Sequence, residues 1–326
     1  MYEMVIIGAG PAGISMAAEA RGVGIPAEKI VVLEKGDAHS WAIRKFYPAS
    51  KPVLANYKGI KAVCTGVMCL TDMSKEETLT YIDRVIEECQ LQVHYKESVT
   101  GIRPLQDGGG FTVETSGGAY RTVRCVIAIG ILDKPNKPEY KIPPALAKRV
   151  HYDITSEVIN DQAVLVVGGG DTASEYCQFL VQQGNRVTLS YRRREFARLN
   201  PVNLESLMAL ETRAQVRILR ESNISALEDD GGRPRAVFQE TGHPAETFDR
   251  VVYALGGTTP LNFLKAVGIK FEGEVPVLTQ GYETSLPGLY LIGDLSAGKK
   301  GGSINLAFNM AAEAMRAIST CPLPSR

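Results

Sequence analysis

Residues 5–15 read VIIGAGPAGIS, and residues 166–176 read VVGGGDTASEY. Each stretch is a short apolar run, then a glycine loop, then a segment with helical spacing. That order predicts a buried strand feeding directly into a helix. In the first stretch, Gly8 permits the tight turn out of the strand. Gly10 lets the backbone approach a pyrophosphate, and Gly13 lets the helix pack close to the sheet. The helix N-terminus behind Pro11 and Ala12 offers unpaired N–H groups and a partial positive charge to a diphosphate. In the second stretch Gly168, Gly170, Asp171 and Thr172 take the same places, with Ala173 for the third glycine, which this fingerprint allows. The loops lie about 160 residues apart, so the mononucleotide-binding unit reads as duplicated.

The chemistry after each following strand differs. The apolar run 30–33 ends in Glu34, with Lys35 next. A carboxylate there can accept hydrogen bonds from ribose hydroxyls. The run 186–191 ends instead in SYRRREFARL, residues 190–199. A carboxylate would repel a 2′-phosphate, whereas the guanidinium groups of Arg192 and Arg193 pair with one bidentately. The cluster therefore selects NADPH over NADH. Two charge-assisted contacts of about 1.5–3 kcal/mol each give a preference of roughly 100- to 10,000-fold.

Zero net charge from 36 basic and 36 acidic side chains argues against a general polyanion binder, so no nucleic acid is expected as a partner. A chain of 326 residues exceeds what one core usually supports, and two domains are expected. A buried strand is read almost at once in MYEMVIIGAG, so no signal peptide is expected. No apolar run reaches the roughly 20 residues of a membrane span. The six cysteines are scattered, with neither disulfide-framework nor metal-ligand spacing, as suits a reduced cytoplasmic setting. Further strands are expected at 92–95, 111–115, 120–129, 235–240, 247–253 and 288–292, those near 111–129 forming a small meander. Helices are expected at 14–21, from 171 to about 183, at 304–318, and after Ser74, where Glu77 completes a capping box. Residues 37–73 read as irregular.

A third element, TSLPGLYLIGD at 284–294, ends in Gly293-Asp294. With the two loops, and with Ala128-Ile-Gly130 and Ala254-Leu-Gly256 at two crossovers, it resembles the two-dinucleotide-binding flavoproteins over nearly the whole chain. The resemblance implies an α/β protein of two Rossmann-like domains with a three-layer ββα sandwich. An FAD domain would be made of 1–132 and 257–326, with an NADPH domain, 133–256, inserted in it. Asp294 would hold a ribitol hydroxyl, and Lys35, Val99, Ala128, Gly130, Ser303 and Ile304 would join the first loop around FAD. Backbone N–H groups at 303–305 would face the flavin pyrimidine edge, with Lys299 and Lys300 solvated.

Length and order look most like the thioredoxin reductase group, which implies a homodimer and a rotation between domains. That group has His-Arg-Arg and, four residues on, a further Arg. Here Tyr191 replaces the His, and Arg198 falls one position late. Its Cys-x-x-Cys is missing: RVHYDITSEV (149–158) holds no cysteine. Ordinary thioredoxin reduction is thereby ruled out. Two dithiol-free relatives remain, the ferredoxin/flavodoxin–NADP reductases and the bacillithiol-disulfide reductase-like group. Residues 74–95 look more like the latter, whose first-loop cysteine is here Ala12.

Cys64 and Cys69 have the x4 spacing of a redox pair. On a regular helix residues five apart rise about 7.5 Å, and on a strand they face opposite sides. Separate thiols are therefore expected unless Gly66 distorts the segment. His151 is a candidate proton donor, with a structural role the simpler expectation. The reading is an FAD-dependent enzyme passing hydride from NADPH to flavin and electrons to a low-molecular-weight disulfide. A small electron-transfer protein, ferredoxin or flavodoxin, is the alternative acceptor. A non-catalytic NADPH-sensing flavoprotein is a third possibility.

Overall fold

A computed structural model describes residues 1–57, 63–106, 108–130, 135–155, 157–256, 261–297 and 301–320. The chain forms two compact units. One comprises Met1–Arg44, Ala49–Asp133 and Thr259–Arg326, the other Lys45–Pro48 and Lys134–Thr258.

In the first unit, β1 (Tyr2–Ile7) leads through the glycine loop into α1 (Pro11–Gly22), and β2 (Ile30–Leu33) comes next. Pro11 starts the helix, where its missing N–H costs nothing. Helix α2 (Lys75–Glu88) carries the capping box read from the sequence. The Ser74 hydroxyl accepts the Glu77 N–H at 3.2 Å, and the Glu77 carboxylate accepts the Ser74 N–H at 2.7 Å. Then come β3 (Val93–His94), β4 (Val99–Pro104), β5 (Phe111–Thr115) and β6 (Ala119–Ile127). They make a sheet in the order β3-β2-β1-β6-β5-β4. The long β6 serves twice. Its first half pairs antiparallel with β5, and its second half runs parallel to β1. Alternation along β1 divides the core. Val5 and Ile7 pack with Ile102, Phe111 and Val113 of the meander, while Ile6 faces α1 at Gly13.

The second unit holds β7 (Val150–His151), β8 (Ala163–Gly168), α3 (Asp171–Gln182), β9 (Arg186–Tyr191), α4 (Pro201–Thr212) and β10 (Val216–Arg220). After them come β11 (Ile224–Asp230), β12 (Arg233–Phe238), β13 (Glu246–Thr247) and β14 (Arg250–Ala254). A parallel sheet runs β10-β9-β8-β14-β7, and β11-β12-β13 form a separate antiparallel sheet. Val164 and Val166 of β8 pack against Tyr176, Cys177 and Leu180 of α3. Leu165, pointing the other way, packs with Leu227, Ala236, Phe238 and Phe248. The unit is thus three layers, helix, parallel sheet and antiparallel sheet. Back in the first unit, β15 (Leu289–Leu291) pairs parallel with β6, and α5 (Ile304–Thr320) closes the described chain.

The run 247–253, expected as one strand, is two. Glu246 and Thr247 pair antiparallel with β12, and Arg250 onward runs parallel to β8. The chain changes sheets at Phe248 and Asp249, where the Asp249 N–H bonds to the Ala163 carbonyl at 2.8 Å. The expected irregular region 37–73 contains a short helix, Trp41–Phe46, and a two-stranded ribbon of Pro52–Val53 with Met73–Ser74. Among the described residues no helix is long and apolar enough to cross a membrane.

Phe248 is 2 % exposed and seals the antiparallel sheet onto the parallel one. Phe248→Ala should cost about 3–5 kcal/mol, read as a lower midpoint of urea unfolding.

Candidate functional site

Each glycine loop is fixed by a close backbone approach. Gly8 has φ +102°, and a Cβ there would stand 2.6 Å from the Ala128 carbonyl oxygen of the neighbouring strand. Gly168 has φ +155°, and its Cβ would stand 2.5 Å from the Ala254 carbonyl oxygen. Both positions demand glycine for conformation and for space. A Cβ on Gly13 would lie 1.9 Å from the Gly8 carbonyl oxygen, so α1 sits hard against its own loop. By contrast, nothing lies within 4 Å of a Cβ built on Gly10 or on Gly170. These two residues cap α1 and α3, and neither helix start is capped by a side chain. Open space over uncapped N–H groups is what a diphosphate needs.

Glu34 is buried and ties the first loop together. One carboxylate oxygen accepts the Ala9 N–H at 2.8 Å, and the other accepts the Gly36 N–H at 2.7 Å. Each oxygen keeps a second lone pair for a ribose hydroxyl. Lys35 is exposed. Val99 begins β4 and packs on the core of its unit. Ala128 is buried, its N–H bonded to Ile7 at 2.8 Å, and Gly130 has φ +67°. Gly293 adjoins the first loop directly, since a Cβ on it would come within 3.1 Å of the Ala12 Cβ. Asp294 accepts the Gly302 N–H at 2.6 Å. The Ser303 hydroxyl accepts the Leu306 N–H at 3.2 Å where Ile304 opens α5. Asn305, in that first turn, is 3 % exposed. Its Oδ1 has no partner among the described residues, an orphaned acceptor at a helix start. Lys299 and Lys300 lie outside the described residues, as does Cys321.

In the second unit, Asp171 turns sideways. Its Oδ1 accepts the Asn200 N–H at 2.8 Å, the Asn200 side-chain amide at 2.8 Å and the Asn203 amide at 3.1 Å. It thereby pins the start of α4 to the start of α3. Thr172 is exposed at the second helical position. Arg192, Arg193 and Arg198 are all exposed, and none of their side chains has an ion-pair partner among the described residues. Sequence reasoning passed over what holds them there. The Tyr191 ring lies on Gly169, where a Cβ would come within 1.9 Å of it. Phe196 stacks on Tyr191, with centroids 4.6 Å apart and planes 9° apart. The stack folds the turn back on itself and sends the arginines outward. Its signal in the sequence was two aromatics bracketing the basic run.

The expectation of separate thiols at Cys64 and Cys69 is corrected. They form a disulfide with Cα atoms 5.2 Å apart, inside the range a disulfide spans. The segment is neither helix nor strand but bends at Gly66 and Val67, so the regular-geometry argument did not apply. His151 lies on the edge strand β7, level with Val252 of β14. Its Nε2 is 3.7 Å from Glu157, which accepts a hydrogen bond from Arg250 at 3.2 Å. Burial holds the imidazole below its usual range, with Glu157 opposing. Cys177, the second unit's sole cysteine, is fully buried, and burial pushes its thiol far up. Among the described residues, no cluster of His, Cys, Asp or Glu could hold a metal ion.

A family model of pyridine nucleotide-disulphide oxidoreductases matches residues 5–293. A ferredoxin–NADP reductase of Ignicoccus hospitalis is 28 % identical over 310 residues, covering 92 % of each chain. A bacilliredoxin reductase, Bdr, of Bacillus subtilis is 27 % identical over 313 residues, covering 93 % of this chain and 92 % of the relative. The solved bacillithiol disulfide reductase of Bacillus cereus superposes with a TM-score of 0.80 at 24 % identity, covering 98 % of this chain and 99 % of that one.

The two glycines of the first loop should separate stability from binding. Gly8→Ala should destabilise the chain by about 2–4 kcal/mol, from strain and clash together. Gly10→Ala should leave thermal unfolding of the ligand-free chain within about 0.5 kcal/mol. Its methyl group should nonetheless reduce dinucleotide binding sharply in equilibrium titration.

Proposed function

The chain belongs to the pyridine nucleotide-disulphide oxidoreductase family, and on that premise we propose an activity for it. It takes reducing equivalents from NADPH through an FAD held in the first unit and passes them to a low-molecular-weight disulfide. One observation carries the reading. Two loops of the same geometry are followed by opposite chemistry, the buried Glu34 carboxylate in one and exposed guanidinium groups in the other.

In the first unit, the backbone at Gly10 and the start of α1 would meet the diphosphate, and Glu34 a ribose. Asp294 would meet the ribitol chain, and the first turn of α5 the pyrimidine edge, where Asn305 holds its unpaired Oδ1. When bound, the flavin supplies the two-electron chemistry. In the second unit, the Gly170 backbone would take the NADPH diphosphate, and Arg192 and Arg193 the 2′-phosphate. Arg198 stands on the same turn. No side-chain base is required of this chain; its contribution is to bind and orient two nucleotides.

The acceptor must be met without a protein dithiol in the second unit, since Cys177 is its only cysteine and is sealed in the core. A small disulfide fits a chain with no net charge, which offers no overall field to steer a charged protein carrier. A ferredoxin-type carrier is the second reading, favoured by likeness to the ferredoxin–NADP reductase. The domain division read from the crossover motifs, a homodimer and a cytoplasmic setting complete the proposal.

Rapid mixing of the FAD-loaded protein with NADPH should bleach the flavin absorbance. Adding disulfides, ferredoxin, flavodoxin and quinones singly should then restore it fastest with a disulfide. Fastest recovery with ferredoxin would establish the second reading, and no bleaching at all would defeat both. Replacing Arg192 and Arg193 together by Ala should cut the NADPH-over-NADH preference in kcat/KM by roughly 100- to 10,000-fold. An unchanged ratio would remove the 2′-phosphate assignment.

A further inference from the structure

The loop at residues 63–70 is closed by the Cys64–Cys69 disulfide and rests on α1 and α5, the two helices assigned to FAD. Toward α1, the Val67 N–H donates to the Glu19 carboxylate at 2.5 Å. Gly66 lies so close that a Cβ on it would stand 2.0 Å from Glu19 Oε1 and 2.6 Å from the Ala312 Cβ of α5. Also toward α5, the Asn309 side chain accepts the Thr65 N–H at 3.2 Å and the Thr65 hydroxyl at 3.0 Å. It donates to the Val63 carbonyl at 2.7 Å, and Arg316 donates to the Thr65 carbonyl at 3.0 Å. The Tyr81 hydroxyl of α2 accepts the Cys69 N–H at 3.0 Å. Inward, Met68 and Leu70 are buried. Outward, Cys64 is exposed and flanked by Val63 and Val67, 56 % and 52 % exposed.

We propose that Cys64–Cys69 is a thiol–disulfide exchange site for small-molecule thiols, and that opening it loosens the clamp between α1 and α5 and so weakens FAD retention. The second half rests on the assignment of FAD to the first unit. An external thiolate attacks the sulfur of the exposed residue Cys64, and a mixed disulfide forms as Cys69 leaves as a thiolate and takes up a proton. A second external thiolate attacks the small molecule's sulfur in that mixed disulfide. Cys64 leaves and is protonated, and a small-molecule disulfide is released. Two thiols are oxidised and one cystine is reduced, a transfer of two electrons and two protons.

The clamp is set by where the contacts lie. Thr65, Gly66 and Val67, which hold Glu19, Ala312, Asn309 and Arg316, all sit between the two sulfurs. Ring closure is what keeps their backbone in one arrangement, and opening the ring restores conformational freedom to it. Losing the Val67 N–H would leave Glu19 a buried carboxylate short of a donor. Burial already pushes its affinity for protons up, with the Val67 N–H opposing. The other described cysteines do not compete, since Cys125 and Cys177 are buried and Cys89 is half-buried at the C-terminal cap of α2.

The test uses the full chain loaded with FAD. Alkylation and then peptide mapping should leave Cys64 and Cys69 unlabelled before reduction. Both should be labelled after native treatment with a phosphine reductant, with Cys125 and Cys177 unlabelled throughout. FAD release, monitored by fluorescence, should quicken on the order of tenfold on reduction. A chain carrying Cys64→Ser and Cys69→Ser should release FAD at the fast rate with or without reductant. Labelling of both cysteines before reduction, or equal release rates, would overturn the proposal. If the chain takes up no FAD, the reading of the first unit is what fails. Hydrogen exchange then decides the clamp: amides of residues 63–70 and of Leu306 and Ala307 should exchange faster on reduction, and unchanged exchange would dismiss it.

Discussion

The structure depends on one repeated steric constraint. At Gly8 and Gly168 the chain leaves its strand so close to the next strand that no Cβ fits against the facing carbonyl, of Ala128 in one unit and Ala254 in the other. That approach sets the direction in which the chain turns. It aims the start of each succeeding helix outward over an open glycine, Gly10 or Gly170. The third position of the two loops shows how much latitude remains. Gly13 has no room for a methyl group, whereas Ala173 carries one and is 1 % exposed.

On this common scaffold, the chemistry differs in the residues just past the second strand of each repeat. Glu34 is an internal strut, with both oxygens spanning Ala9 and Gly36, and it offers only its remaining lone pairs outward. The arginines on the turn after β9 are the opposite case. They bond to no described acid, and their position comes from Tyr191 resting on Gly169 and Phe196 resting on Tyr191. An aromatic stack is a reasonable support for such a cluster. It fixes the turn without placing a carboxylate nearby to neutralise the charge. Asp171, the nearest acid in the loop, is engaged by Asn200 and Asn203.

Legibility tracked locality. The β1–α1 and β8–α3 units, the capping box at Ser74 and the helix from Ile304 are set by neighbours within a few residues, and all were readable. The second unit's antiparallel sheet was read only in part: β11 is mostly exposed, so its apolar alternation is faint even though it pairs with β12 through a tight local hairpin. The break at Phe248 and Asp249 hid inside an unbroken β-prone run, since only a tertiary bond to Ala163 distinguishes the two halves. Strand β10 and helix α4 went unread. The helix's apolar face is weak, and its start is held by Asp171 from another helix. The Cys64–Cys69 bridge was discounted by assuming regular backbone, whereas Gly66 is held bent by Glu19 and Ala312, remote in sequence.

Sulfur and nucleotide are distributed unevenly between the units, and this bears on how electrons can leave. The arginine-bearing unit contains one thiol, Cys177, on the buried face of α3. The other unit carries the disulfide, on its surface and against the helices whose starts face the first glycine loop and Asn305. A cysteine pair is therefore absent from the arginine-bearing unit by composition, in keeping with the proposed direct transfer to an external acceptor. The surface disulfide then has a different physical position from a relay. It touches the last turn of α1, at Glu19, and the second and third turns of α5, at Asn309 and Ala312. Both helices are buried along most of their length. On the proposal made above, a change at the loop passes to the two helices it holds, and the pair adjusts the flavin site assigned to the first unit from outside it.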